Sequence, residues 1–482
     1  MTYLGENLYP VSDIVTSASS SLTVDEIKMI ERMRLQLDAK KLRIQTRQAY
    51  YDQKIWLKDL GISIPPQLKT MESVLGWPAK TVDSLADRIN FESFVSSDHE
   101  SDPYGLNEIV EDNDFHNSFS ESVTSSLTHS CAFITISHGD LSQGEPDILW
   151  MPKSADQATG IWDSRRRALK AGMTVTDADS QGRPNEFVVY FADRTVLIRI
   201  GANGKVFFDA IPNPVGRPLI EPVISGGDLR RPFGRSRISR SVMTLTDSAI
   251  RTIVRSEIGA EFFASPQRYV LGVDEEAFDG NKWNALISRV LTISRDEDGN
   301  MPEVNQFSQL SMQPHTDQLR QWAALLAAES QIPLDELGFP SDNPSSDSAI
   351  QSQRDPLRLA ANRMIRGYKP ALRRLAITSV MLRDGVLAEE LSSIRPWFSP
   401  TVHTSDAAAA DAVLKQVQVM PWLAESPVIL EKLGYDQGAI ERLLADKRRY
   451  QGSQTLQALT SMMQKNSATD TQSADTSYTQ EE

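Results

Sequence analysis

The chain has 482 residues, 40% hydrophobic and 24% charged, which allows a sizeable core and about three domains at roughly 150 residues each. Its net charge of −14 excludes a protein that coats nucleic acid by neutralising phosphate, although an acidic wall can surround DNA without gripping it. The single cysteine, Cys131, excludes an intrachain disulfide, and no apolar run approaches the roughly 20 residues of a membrane span.

Met1 to Ser21 has neither the basic segment nor the apolar segment of a secretory signal, so the reading is a soluble protein made in a cytoplasm. Val24 to Leu60 reads as a helix with apolar positions at Ile27, Ile30, Leu35, Leu42, Tyr50 and Leu57. Thr23 with Glu26 forms a capping-box pattern at its start, and Gly61 with Pro65-Pro66 supplies the stop. Val82 to Ile89 is a second helix, followed by the acidic stretch Ser96 to Asp102, and Leu106 to Leu127 is again helical. Short apolar runs then read as strands: Ala132–Ile136, Ile148–Met151, Glu186–Phe191, Thr195–Ile200 and Val206–Asp209. Asp193-Arg194 and Gly201-Ala202-Asn203-Gly204 supply turns between the last three, which predicts an antiparallel meander. Cys131 sits in an apolar run and reads as a core residue. Pro212, Pro214, Pro218 and Pro222 predict an extended connector without regular structure.

Ile238 to Phe262 is the clearest helix, with a stripe of Ile238, Val242, Leu245, Ile250, Ile253, Val254, Ile258 and Phe262. Pro266 ends it, and strands follow at Tyr269–Val273 and Val290–Ile293. Pro314 opens a shorter helix through Leu319, Trp322, Leu325 and Leu326. A Pro/Ser/Asp-rich loop, Ile332 to Ser348, leads into a helix from about Ala349 to Arg383 with Pro356 and Pro370 inside it, which predicts kinks. Asp406 to Tyr450 reads as three short helices separated by Pro421, Pro427 and Gly434, and Asn466 to Glu482 as a polar tail without order.

Catalytic patterns are missing from the sequence. Gly201-Ala202-Asn203-Gly204-Lys205-Val206 lacks the spacing and the Ser/Thr of a phosphate loop. The six histidines form no His-Glu-x-x-His pair, no Cys/His cluster offers a zinc site, and no Gly-x-Ser-x-Gly elbow occurs. The reading is therefore not an enzyme, with no catalytic, metal or cofactor residues. Two basic stretches stand out: Arg230, Arg231, Arg235, Arg237 and Arg240, and then Arg354, Arg358, Arg363, Arg366, Lys369, Arg373 and Arg374. Neither carries the aromatic interleaving of a single-strand platform, so pairing with acidic faces is favoured over phosphate contact.

Several segments in order resemble the portal proteins, or head–tail connectors, of tailed phages, particularly phages of actinobacteria. They are Leu75-Gly76-Trp77 through Val82-Asp83-Ser84-Leu85-Ala86-Asp87-Arg88; Met151-Pro152 through Asp163-Ser164-Arg165-Arg166-Arg167-Ala168-Leu169; and Arg231-Pro232-Phe233-Gly234-Arg235-Ser236 leading to a helix with Asp247, an Ala264-Ser265-Pro266 corner and Tyr269-Val270-Leu271-Gly272-Val273. Pro333-Leu334-Asp335-Glu336-Leu337-Gly338 and Asn343-Pro344-Ser345-Ser346-Asp347-Ser348-Ala349-Ile350 complete the pattern, which spans roughly Leu75 to Arg383.

The resemblance implies an α+β portal-type fold, assembled as a ring of about twelve subunits at one capsid vertex of the virion. Carried onto this chain, it implies a wing over 1–232 with its β meander near 130–210, a stem helix over 233–263, a clip over 264–312 and a second stem helix over 313–330. A tunnel loop follows over 331–347, a long kinked wing helix and connector over 348–400, a crown over 401–451 and a tail without order over 452–482. Implied partners are other copies of the chain, the terminase large subunit, a head–tail adaptor, the major capsid and scaffold proteins, and double-stranded DNA passing without sequence specificity. In such a ring, Leu334, Leu337 and Phe339 would pack on the next subunit's loop, with Ser341, Asn343, Ser345 and Ser346 facing the DNA; the alternative is a surface loop packed on its own subunit. Rival readings are a DNA-metabolism enzyme such as a nuclease, and another phage head-assembly protein.

Overall fold

The computed structural model describes residues 22–55, 73–97, 102–178, 182, 184–201, 205–264, 268–271, 303–306, 311–339, 347–401, 406–435 and 437–475. The chain divides into a unit spanning Met1–Thr401 and a second spanning Val402–Glu482.

In the first unit, α1 (Val24–Tyr51) begins at Thr23, whose hydroxyl caps the Glu26 amide while the Glu26 carboxylate accepts from the Thr23 amide at 2.7 Å, closing the expected capping box. The helix stops at Tyr51 rather than Leu60, and Gln53 takes a left-handed φ of 59°. Its buried stripe is Ile30, Met33, Ile44 and Tyr50, whereas the expected core residues Leu35 and Leu42 are 58% and 77% exposed. Leu57, Gly61 and Pro65-Pro66 lie outside the described residues. Next come α2 (Trp77–Ala86) and β1 (Phe91–Val95). The single helix expected over Leu106–Leu127 is two, α3 (Leu106–Asp112) and α4 (Phe115–His129). Asn113 breaks it: its side chain donates to the Ile148 carbonyl at 2.8 Å and accepts from the Trp150 amide at 2.7 Å, and Asp114 follows with φ 44°.

All strand pairings among the described residues are antiparallel. Strands β2 (Cys131–His138) and β3 (Ile148–Lys153) form the expected runs. The meander is larger than expected. Strands β4 (Ala158–Asp163) and β5 (Ala168–Ala178) precede β6 (Pro184–Tyr190), β7 (Arg194–Ile200) and β8 (Val206–Pro212), and the five pair in chain order. The Asp163–Leu169 segment is the β4–β5 turn. Asp163 Oδ1 accepts from the amides of Arg165 at 2.8 Å and Arg166 at 3.2 Å, and these bonds hold its carboxyl below the usual carboxylate range. The proline-rich connector contains β9 (Ile220–Ile224), which pairs with β2 in a sheet ordered β3-β2-β9. Pro222 is tolerated because β9 is the edge strand, where a missing amide hydrogen costs no ladder bond.

The rest of this unit is α5 (Arg240–Ala264), the pair β10 (Arg268–Leu271) with β11 (Glu303–Gln306), α6 (Gln313–Ser330), α7 (Asp347–Asp384) and β12 (Arg395–Phe398), which pairs with β1. The strand expected at Val290–Ile293 lies outside the described residues. Helix α7 is the spine of the core. Its Leu357, Ala361, Tyr368, Leu372, Leu375 and Val380 are buried with Phe91, Phe94, Phe115, Phe119, Trp150 and Phe398. Tyr368 Oη lies 2.8 Å from Ser126 Oγ, and Trp150 Nε1 donates to Ser379 Oγ at 2.8 Å, so the buried polar tips are paired. Cys131 is a buried core thiol whose pKa burial pushes up.

The second unit holds α8 (Asp406–Val419), a short turn at Pro421–Glu425, α9 (Val428–Lys432) and α10 (Gln437–Asp475). The sequence places the last helix end at Tyr450 and an unordered tail beyond it, but α10 continues to Asp475. The segment after Tyr450 contains Leu, Gln, Ala, Met and Lys and no proline, so propensity does not stop the helix. Residues 476–482 lie outside the described residues.

One buried ion pair ties the edge strand to the spine: Arg374 Nε lies 2.9 Å from Glu221 Oε2, and burial pushes the Glu221 carboxyl upward against the pull of that guanidinium. Arg374→Leu strands the carboxylate and should lower stability by about 3 kcal/mol in denaturant titration. Adding Glu221→Gln should recover part of the loss, which separates a stranded charge from lost packing.

Candidate functional site

Helices α5 and α6 form an antiparallel pair within the first unit. Ser239 starts α5, its hydroxyl accepting from the Val242 amide at 3.2 Å, and Pro314 starts α6 at a position that needs no amide hydrogen. The seam is built from small and branched side chains: Val242 and Ala249 of α5 meet Ala323 and Leu326 of α6, all buried. Further along, Ile250, Val254 and Ile258 make a second buried cluster. Of the stripe read from sequence, Val242, Ile250 and Ile258 are buried, Leu245 is partly buried against the seam and Ile253 is half-buried. Ile238 precedes the helix and belongs to the main core.

A polar contact crosses the seam once its apolar part is filled. Trp322 Nε1 donates to Thr252 Oγ1 at 3.2 Å, and Thr252 Oγ1 bonds Gln318 Oε1 at 3.2 Å.

The pair is rooted by the segment Arg231-Pro232-Phe233-Gly234-Arg235-Ser236-Arg237. Phe233 stacks near Trp162 and Phe133, with ring centroids 6.1 Å and 6.3 Å away, and the Lys40 ammonium lies 5.1 Å over its ring. Gly234 turns the chain at φ 74°, and a Cβ there would stand 2.0 Å from the Ser225 carbonyl oxygen, so only glycine fits. Arg235 pairs with Asp228 at 2.7 Å. The Ser236 hydroxyl donates to the Thr128 carbonyl at 2.6 Å, and the Arg237 amide donates to the Leu127 carbonyl at 2.7 Å.

The Arg237 side chain then closes the joint. Its Nε donates to the Thr81 carbonyl of α2 at 2.7 Å, and an Nη donates to the Ser330 carbonyl at the end of α6. A guanidinium at the last carbonyls of a helix also faces the negative end of its dipole. Burial pushes its pKa down to about 10, which leaves it charged at neutral pH. Tyr50 and Tyr51 brace the joint from α1, donating to Asp247 of α5 at 3.0 Å and to Asp83 of α2 at 2.9 Å.

The segment after α6 starts with a short turn at Leu334–Leu337. Leu334, Leu337 and Phe339 gather with Trp77, Ile332 and the α5–α6 seam. These apolar side chains are thus seated within their own chain, as in the second of the two readings of this loop. Glu336 fixes the turn by pairing with Arg88 at 3.0 Å and Lys80 at 3.8 Å, so the two quoted motifs around α2 and Glu336 meet in space. Ser341, Asn343, Ser345 and Ser346 lie outside the described residues.

At least half of the basic residues in the two stretches are engaged within the chain. Besides Arg235 and Arg237, Arg358 pairs with Asp355 at 2.9 Å, Arg374 with Glu221, and Arg373 donates to the Ile394 and Ser392 carbonyls at 3.1 and 2.7 Å. Lys369 lies 5.8 Å over the Phe398 ring. Trp77 and Glu336, quoted from sequence only as parts of motifs, Arg237, read only as one of a basic stretch, and Thr252, which the sequence did not single out, carry the joint. No local signal marks a partner that lies 93 residues away, as Ser330 does from Arg237.

Gly234→Ala should cost at least about 2 kcal/mol, and Arg237→Met about 1–3 kcal/mol by taking the charged donor from the Ser330 carbonyl at the end of α6. Thermal unfolding of both variants beside the exposed control Arg230→Met checks this; equal midpoints for all three would count against the joint.

A family model described as phage portal protein, SPP1 Gp6-like, matches residues 32–451. The chain is 25% identical over 384 residues to the portal protein of Mycobacterium phage L5, covering 76% of this chain and 77% of that one. It is likewise 25% identical over 390 residues to the portal protein of Mycobacterium phage D29, covering 77% and 78%. The segments quoted from sequence, from Leu75 to Arg383, fall inside the matched range.

Proposed function

The chain belongs to the phage portal protein family, and from that premise we propose that copies of it close into a ring at one capsid vertex of a tailed phage. Double-stranded DNA is packaged and ejected through the ring. The observation that carries this reading is the α5–α6 pair, whose inner seam is complete within one chain while its outer faces remain open. On α6, Gln321, Ala324, Leu325 and Ala328 are exposed, with Leu325 at 47%. A face of small and apolar residues is suited to the flank of an identical neighbour in a head-to-tail contact that closes on itself. In this reading α5 and α6 are the stem, and 264–312 is the clip that meets the terminase large subunit and later the head–tail adaptor. The body over 1–232 with α7 is the wing beside capsid and scaffold proteins, and 401–451 is the crown.

Two further points support it. A chain of net charge −14 offers DNA little overall attraction, which suits passage better than retention. No helix among the described residues is long and apolar enough to cross a membrane. The family's role is structural, and the chemistry of translocation falls to the motor that docks on it.

Leu334, Leu337 and Phe339 anchor the start of the loop over 331–347 on the base of the stem, leaving its polar half, with Ser341, Asn343, Ser345 and Ser346, to line the channel. Short hydroxyl and amide side chains make contacts that a moving duplex breaks easily.

End-on electron micrographs of the purified chain should show closed rings of about twelve subunits. Leu325→Arg should leave a folded chain that no longer closes them, and native mass spectra holding only monomers of the unsubstituted chain at all concentrations would overturn the ring. Shortening Gly338–Ser345 should leave rings intact but reduce the DNA held in filled heads; particles that keep full-length genomes would show that the loop does not act in the channel.

A further inference from the structure

The loop between β9 and α5 carries an apolar side chain on its tip. Leu229 is 99% exposed, more than any other large apolar side chain among the described residues. The turn that carries it is locked. The Asp228 amide donates to the Arg231 carbonyl and the Arg231 amide to the Asp228 carbonyl, each at 3.2 Å. Asp228 Oδ1 also accepts from the amides of Arg230 and Arg231 at 2.9 and 2.7 Å, and Arg235 holds its other oxygen at 2.7 Å. One exposed leucine is ordinary on a protein surface. A leucine fixed on a rigid turn is different, because it has little freedom left to lose on docking. Arg230, beside it on the tip, is exposed and pairs with no carboxylate among the described residues.

The same body offers a surface of opposite sign. Helices α1 and α4 run past the β3–β4 loop and leave an open cleft of about 510 Å³ between them. Ile44, Tyr51 and Thr124 line it, and so do the exposed side chains of Gln45, Glu121 and Asp156. Asp156 accepts from the Ser154 hydroxyl, but neither carboxylate pairs with a lysine or arginine among the described residues. His129 at the cleft feels Asp156 and Asp52 on the negative side and Arg47 on the positive, so the cleft is acidic on balance. Copies of a chain with net charge −14 repel one another, so a contact between copies calls for a local cation facing a local anion.

We propose that the Leu229–Arg230 turn of one copy docks in the α1–α4 cleft of the next, with Leu229 beside Tyr51 and Arg230 facing Glu121 and Asp156. The tip is apolar and positive, and the cleft is partly apolar and negative, so each offers what the other lacks. Tip and cleft are different surfaces, so every copy gives one and receives the other, which is a head-to-tail contact. The proposal rests on the ring reading for its neighbour and names a seam separate from the exposed face of α6.

Native mass spectrometry of the full chain across a concentration series tests it. Leu229→Asp should raise the concentration needed for assembly about tenfold or more. Arg230→Glu and Glu121→Arg should each weaken assembly, and the two together should recover part of it. All three side chains are exposed, so circular dichroism should show the variants folded. A covalent test reads the contact directly. The one native cysteine, Cys131, is buried, so chains carrying Leu229→Cys co-expressed with chains carrying Gln45→Cys should form a disulfide only between copies. Normal assembly of Leu229→Asp and Arg230→Glu without that disulfide overturns the contact and leaves the ring standing. Where the unsubstituted chain forms no rings, the disulfide decides: its presence keeps the contact while the ring reading falls, and its absence overturns both.

Discussion

The Arg237 guanidinium is the contact on which the helix pair depends. It reaches the carbonyls of Thr81 and Ser330, and its backbone amide holds the Leu127 carbonyl. One residue thereby fixes the end of α4, the side of α2 and the last turn of α6 at the point where α5 begins. A charged donor to a buried carbonyl is stronger than a neutral one, and its removal takes the donor from the Ser330 carbonyl at the end of α6. Gly234 matters because it delivers the chain to this position, and Phe233 because it anchors the approach to the body.

Other long-range polar contacts follow the same plan. They sit where two elements cross, and each uses a side chain near the end of an element. Tyr50 and Tyr51 close α1 by reaching Asp247 and Asp83, and Glu336 reaches Arg88 from the turn after α6. The apolar interior supplies most of the stabilisation, but these contacts set the angles at which the elements meet. The weak motifs scattered along the sequence are largely these crossing points, so none is diagnostic alone while their order is.

Periodicity made the long helices legible, including α5, α6 and α7, and alternation gave five strands of the first unit's sheets. The misreadings have physical causes. Leu35 and Leu42 fit a helical stripe but face outward, because the buried face of α1 runs through Met33 and Ile44. Asn113 looks like an ordinary polar helix residue until β3 offers it backbone to bond. Pro222 argues against a strand unless the strand lies at an edge. Strands β4 and β5 were hidden between glycines and arginines whose amides form a turn. The α5 stripe could be read because it repeats, whereas Arg237 appeared only as one member of a basic run. The seating of Leu334, Leu337 and Phe339 on Trp77 needed the fold, since residues so far apart have no common period.

The Thr252 contact with Trp322 and Gln318 lies in a seam that is otherwise made of methyl and methylene groups. Smooth apolar surfaces resist separation but offer little resistance to sliding, because one turn of offset, about 5.4 Å, replaces one set of aliphatic contacts with another. The Trp322 indole meets the Thr252 hydroxyl in one alignment only. They act as a detent: an axial pull on α5 is passed to α6 as shear instead of being lost in slippage, so the two helices bear load as one strut.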